Sequence, residues 1–245
     1  MNLICHLDFV FCIFLMKDIS VLEKKLGVKF KNKDVLLKAL THRSYINENP
    51  DFHLNHNERL EFLGDAVLEL AVTEYLYGNY KNPEGELTNW RAALVRAETL
   101  SEVAQELEIN NFLLLSKGEA KDTGRARQYI LANALEAIIG AIYLDCGYEE
   151  AKNFVEKNII VRLSDILKTG AYKDTKSLFQ EEAQERAGVT PSYKVIKEWG
   201  PDHAKHFRVG VFLEDELIAE GEGVSKQEAQ LEAAKNALEA KNWSN

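Results

Sequence analysis

Glu61 and Asp65 stand four residues apart in the run His56-Asn57-Glu58-Arg59-Leu60-Glu61-Phe62-Leu63-Gly64-Asp65-Ala66-Val67-Leu68-Glu69-Leu70, the spacing that stacks two side chains on one side of an α-helix. Glu58 lies a turn earlier. Like charges so placed destabilise a helix by roughly a few tenths of a kcal/mol per pair, and a divalent cation would compensate them; a solvated acidic face is the alternative. Another stripe of the same helix, Leu63, Ala66, Val67, Leu70 and Ala71, is expected to face the core.

A second segment, residues 129–145 (YILANALEAIIGAIYLD), is apolar almost all round and is expected to be a buried helix. Asn133 and Glu136 share one face within it. A buried carboxylate is costly unless it is paired or binds a metal, so either Arg59 or Arg91 neutralises Glu136, or the two helices together line a hard oxygen site. Such a site suits Mg²⁺, which takes few protein ligands and keeps several waters. His53 and His56, in a polar entry to the first helix with no third soft ligand nearby, read as surface histidines rather than a zinc pair. Gly78 and Gly85 lack the preceding strand and following Gly-Lys-Ser of a phosphate loop.

These residues sit in a region, about 18–168, whose periodicity is helical nearly throughout, which predicts an all-α domain. The stretch LKTGAYKD at 167–174 reads as a hinge, with the boundary near 170. Beyond it the pattern changes to a helix (177–186), a strand opening at Pro191, strands over 207–213 and 217–222 around Glu214-Asp215-Glu216, and a helix over 226–241. The order α-β-β-β-α is α+β. The expected domains are 16–168 and 175–245, joined by a linker at 169–174.

The chain has 245 residues, 46% hydrophobic and 28% charged, with a formal net charge of −9. This excludes disordered and fibrous classes and argues against an indiscriminate phosphate binder. Cys5, Cys12 and Cys146 have no paired spacing, which fits a reducing compartment, the cytoplasm. The apolar residues 1–15 are too short to span a bilayer and lack the basic region and cleavage site of a signal peptide. They are expected to be a non-native extension or start-site artefact, with translation beginning at Met16; an added packing helix is the alternative.

The run from Asn57 to Leu68 is similar to the signature of the ribonuclease III family. Supporting matches are Ala39-Leu40-Thr41-His42-Arg43-Ser44, Glu84-Gly85-Glu86-Leu87, Arg91-Ala92-Ala93-Leu94-Val95, Lys117-Gly118-Glu119, Gly124-Arg125 and Leu135 to Asp145. The resemblance runs from about Met16 to the C-terminus. It implies a helical endonuclease domain that forms a homodimer and cuts double-stranded RNA, including ribosomal RNA precursors. Cleavage by Mg²⁺-activated water, with Mn²⁺ as a substitute, would leave 5′-phosphate and 3′-hydroxyl ends with two-nucleotide 3′ overhangs. The implied metal ligands are Glu61, Asp65, Asn133 and Glu136, with Asp65 and Glu136 catalytic and Glu58 an auxiliary acid. Phe62 matches the aromatic that plugs a cavity of the partner subunit, against the alternative of an ordinary core residue. The family has Asp where this chain has Asn133, so the site loses one negative charge. A catalytically silent, RNA-binding relative is the competing reading; it has no reason to keep three of the four carboxylates. No membrane and no small-molecule cofactor is implied.

The C-terminal segment resembles a double-stranded-RNA-binding domain, a fold that spans about 16 base pairs and reads minor grooves and phosphates. The resemblance places minor-groove contacts at Ser177, Gln180, Glu181, Gln184 and His203, and a phosphate clamp at Lys226, where Gln227 replaces the family's second basic residue. Residues 172–245 carry 10 Lys and Arg against 14 Asp and Glu, so Lys205, Lys226 and Lys235 must form any basic face. A protein-interaction domain of the same fold is the alternative.

Overall fold

The computed structural model describes residues 18–170, 175–201 and 205–243. The chain divides between Tyr172 and Lys173 into two compact units. Residues 1–15, His203 and most of the expected linker lie outside the described residues.

The first unit contains the helices α1 (Ile19–Leu26), α2 (Lys33–Ala39), α3 (Arg43–Glu48), α4 (Glu58–Asn79), α5 (Glu84–Val95), α6 (Ala97–Glu106), α7 (Arg125–Cys146), α8 (Tyr148–Asn158) and α9 (Leu163–Thr169). As the periodicity predicts, strands are absent among its described residues apart from one isolated parallel bridge between Thr41 and Leu114. The bridge anchors the loop ahead of α7, since His42 donates its backbone N–H to Leu114 (3.0 Å) and Leu114 donates to Leu40 (2.9 Å).

α7 is the axis of the unit. Its residues Leu131, Ala132, Leu135 and Ala137 to Ile142 are buried, and it makes its most extensive contact with α4. By length and hydropathy α7 is apolar enough to cross a membrane, but 56% of its apolar window is already buried inside the unit, as in a soluble core helix.

The buried stripe of α4 differs from expectation. It consists of Leu60, Gly64, Val67, Leu68, Ala71, Val72 and Leu76, whereas Leu63 is only partly covered and Ala66 and Leu70 are exposed. Gly64 is the cause. It carries no apolar side chain to register in a hydrophobic pattern, yet it lies against the α7 backbone at Glu136 and Gly140, and the buried stripe is centred about one position away from the expected one.

The second unit has α10 (Thr175–Ala187), β1 (Ser192–Trp199), β2 (His206–Leu213), β3 (Glu216–Gly223) and α11 (Lys226–Ala240). The sheet is antiparallel in the order β1-β2-β3. Phe179 and Ala183 of α10 and Ala233, Ala234, Ala237 and Leu238 of α11 pack with Val211 and Leu213 of β2 in one core. β1 begins after Pro191 and runs on to Trp199, its register broken by a bulge between Val195 and Lys197.

Candidate functional site

The acidic residues of α4 and α7 meet because the two helix backbones touch. A Cβ built on Gly64 would lie 1.7 Å from the carbonyl oxygen of Glu136, and one on Gly140 would lie 2.3 Å from that of Leu60. No side chain fits at either place. Glu61 and Asp65 flank Gly64 in sequence, and Glu136 lies one helical turn before Gly140, so the contact carries all three carboxylates together with it.

Their acidities report that proximity. Burial, with Asp65 and Glu61 close by, pushes the Glu136 carboxyl up to about 8. Glu61 is also raised, by burial first and then by Glu58 and Asp65, while a hydrogen bond from the Asn133 side chain acts in the opposite sense. No base is among the groups that act on Glu136. Arg91 is engaged elsewhere, with its Nε 3.1 Å from Glu69 and its Nη1 donating to the Thr73 hydroxyl at 3.0 Å. Neutralisation of Glu136 by Arg59 or Arg91 is therefore ruled out.

Glu58 stands at the rim, between Arg43 (3.3 Å) and His56 (3.7 Å). His53 faces Asp34 at 3.9 Å, so both histidines have carboxylate neighbours on the surface. Asn57, almost fully buried, donates its side-chain N–H to the Ala39 carbonyl (3.2 Å) and its backbone N–H to that of Thr41 (2.9 Å), which fixes the start of α4 against the end of α2.

The donors at the crossing are all oxygens, three carboxylates and one amide. Among the described residues no three His, Cys, Asp or Glu side chains stand close enough to enclose an ion unaided. By their chemistry alone, all hard oxygens, these donors suit Mg²⁺ or Mn²⁺ rather than a soft cation. Crowding of half-buried Glu61 and Glu136 with exposed Asp65, without a protein cation acting on Glu136, is what such an ion would relieve.

Phe62 is not a core residue. It is 82% exposed, with Leu70 (55%) above it on the same stripe of α4, and Tyr143 and Leu144 are exposed on α7. Spacing alone did not reveal Gly64, Gly140, Asn57 or Arg43 as parts of the site. The two glycines did leave a signal, since a mid-helix glycine costs about 1 kcal/mol relative to alanine and needs a reason to be there.

In the second unit Ser177, Gln180, Glu181 and Gln184 line one open groove on the exposed face of α10. Lys205 lies 3.3 Å and Lys226 3.5 Å from the carboxylate of Glu198. Lys235 lies 4.0 Å from Glu232. The three lysines expected to form a basic face thus all have carboxylate partners within the unit.

A family model described as ribonuclease-III-like matches residues 32–163, and a double-stranded RNA binding motif matches residues 175–241. Ribonuclease 3 of Oceanobacillus iheyensis is 46% identical over 229 residues, covering 92% of this chain and 99% of that protein. Ribonuclease 3 of Carboxydothermus hydrogenoformans is 47% identical over 224 residues, covering 91% and 95%. Among solved structures, the nuclease domain of a ribonuclease III from Campylobacter jejuni is similar at TM-score 0.53 and 45% identity, covering 59% of this chain and 95% of that one. Another structure of that domain concerns flexibility in a region involved in dimer formation; it has TM-score 0.52 and 44% identity, covering 58% and 99%.

Proposed function

The chain belongs to the ribonuclease III family, and from that premise we propose that it hydrolyses double-stranded RNA at the α4–α7 crossing, with Mg²⁺ held by Glu61, Asp65, Asn133 and Glu136. The observation that carries this reading is the α4–α7 backbone contact at Gly64 and Gly140, which sets Glu136, a half-buried carboxyl pushed up to about 8 by burial first and then by Asp65 and Glu61, beside the acidic residues of α4. A bound divalent cation would supply an activated water and charge neutralisation at the scissile phosphate. The protein's own part is positional. Glu136 and Asp65 present oxygens from two facing helices, Asn133 holds Glu61 through its side chain, and Glu58, kept at the rim by Arg43 and His56, adds negative charge from outside. Water would attack phosphorus as the bond to the 3′ oxygen breaks, the water losing a proton and the departing 3′ oxygen gaining one, so that the products carry 5′-phosphate and 3′-hydroxyl ends.

Two sites are needed to cut both strands. The exposed apolar residues Phe62, Leu70, Tyr143 and Leu144 support a homodimer, as does the dimer formation known for the Campylobacter jejuni domain. A second copy covering this face would carry the second site, and paired cuts would leave two-nucleotide 3′ overhangs. The groove of Ser177, Gln180, Glu181 and Gln184, with His203, Lys205 and Lys226, would hold the duplex. Processing of ribosomal RNA precursors and other structured RNA in the cytoplasm fits this activity.

The test is incubation of the purified chain with a long RNA duplex, with and without Mg²⁺. Short products with two-nucleotide 3′ overhangs are expected only with the metal. A duplex that is bound yet stays intact in both Mg²⁺ and Mn²⁺ would refute the assignment.

A further inference from the structure

Glu198 lies near the end of β1, Lys205 immediately precedes β2, and Lys226 is the first residue of α11. Three separate segments therefore converge on one carboxylate, and each of its oxygens faces one lysine: Oε2 lies 3.3 Å from Lys205 and Oε1 3.5 Å from Lys226. We propose that Glu198 sets the affinity of this unit for RNA by occupying, with one carboxylate, the two ammonium groups that backbone phosphates would otherwise engage. The inference rests on the reading of this unit as a binder of duplex RNA, and it assigns Glu198 a role opposed to binding.

The charge count decides the direction. Lys205 and Lys226 alone present two positive charges; with Glu198 between them they present one. An arriving phosphate then meets half the net attraction and a neighbouring carboxylate as well. The Glu198 carboxyl lies below the ordinary range, through Lys205 first and Lys226 after it, so it stays ionised at neutral pH. All three side chains are partly exposed, which leaves the lysines within reach of an RNA backbone and keeps the internal pairs weak enough to be shared or displaced.

The start of α11 reinforces the effect. The Ser225 hydroxyl accepts from the backbone N–H of Glu228 (3.1 Å), and the Glu228 carboxylate accepts from that of Val224 (3.0 Å). These two bonds at the N-cap place a second negative group at the positive end of the helix. Other cations of the unit are paired too, Arg186 with Glu182, Arg208 with Glu222 and Lys241 with Glu216. Lys194 and Lys197 lie instead over the Phe212 and Trp199 rings, away from Glu198, so removal of its carboxylate should be felt in RNA binding through Lys205 and Lys226. A purely structural role for Glu198, as a staple that orients the two lysines, predicts the opposite sign.

The experiment uses the full chain and a blunt RNA duplex of about 30 base pairs, room for a footprint of about 16, in EDTA so that no cleavage occurs. Glu198→Gln should bind roughly fivefold more tightly than wild type, the size of one exposed ion pair. Its log–log salt dependence should steepen by about one phosphate contact. Lys226→Ala should weaken binding more in the Glu198→Gln background than in wild type. Glu198→Asp, which keeps the charge, should bind like wild type. If wild type binds and Glu198→Gln binds equally or more weakly with an unchanged melting temperature, the proposal is overturned. If neither chain binds duplex, the RNA-binding reading of the unit falls and this proposal falls with it.

Discussion

Gly64 of α4 and Gly140 of α7 lie backbone to backbone, so that a Cβ built on Gly64 would come within 2.9 Å of the Gly140 nitrogen. The carboxylates around them are brought together by the absence of two side chains as much as by their own placement. Gly64→Ala must push the helices apart. We expect a loss of about 3 kcal/mol or more, at the upper end of overpacking costs, in urea denaturation, together with loss of cleavage. A variant of wild-type stability would show that the crossing can relax.

Glu136→Gln keeps the shape of the side chain and removes its charge. Cleavage should fall by about a hundredfold or more, the range seen when one preorganised electrostatic partner is lost, while duplex binding in a gel shift stays near wild type. Near-normal cutting in saturating Mg²⁺ would move the site elsewhere.

Without a divalent cation, stability should depend on pH through Glu136. Its folded carboxyl, at about 8, lies above the ordinary value of 4.5. The associated stability is therefore fully present below about pH 4.5 and is lost as pH rises towards 8, where the buried group must ionise. Melting temperature in EDTA should decline across that window. Added Mg²⁺ should restore most at the alkaline end, because it binds the deprotonated site. The Glu136→Gln variant should show a flatter profile; if it declines as steeply as wild type, other groups are responsible.

Asn133→Asp returns a fourth negative charge to the crossing. Half-maximal activity should move to lower Mg²⁺ by about tenfold, in the range by which groups around a metal tune its affinity, with a smaller change in rate at saturation. The metal-free protein should melt earlier, since Glu61 exchanges a hydrogen-bond donor for a like charge. An unchanged metal dependence would mean that residue 133 does not face the cation.

Phe62→Ala should leave the protomer's stability almost unchanged, because the ring is 82% exposed, and should weaken self-association by about ten- to a hundredfold if the ring is an anchor of the homodimer. Sedimentation across a concentration series separates the two effects. A chain whose mass distribution does not respond to the substitution does not use Phe62 for pairing.

Much of this was legible in the sequence. Placement of Glu61 and Asp65 on one helix, burial of the middle of the 129–145 helix and the α-β-β-β-α order follow from the periods 3.6 and 2, which need only local information, whereas exposure of Tyr129, Tyr143 and Leu144 at its ends is set by tertiary packing. The inward stripe of α4 was misread because periodicity counts apolar side chains, and its closest contact is made at Gly64, which has none. The partners of Lys205 and Lys226 were equally hidden. Glu198 is separated from Lys226 by two strands, and only the folded sheet brings them side by side. His203, which the resemblance places among the RNA contacts, lies outside the described residues.

The crossing of α4 and α7 also has a meaning in time. Between Glu61 and Glu136 the chain must lay down α5, α6 and the loop anchored at Leu114, so their meeting is a contact of long sequence separation. A polypeptide emerging N-terminus first completes α4 well before α7 exists. Until α7 docks, the acidic residues of α4 have no facing partner and no centre for hydrolysis is assembled. If the crossing is the centre proposed above, a nascent chain cannot cut RNA until its first unit is nearly whole.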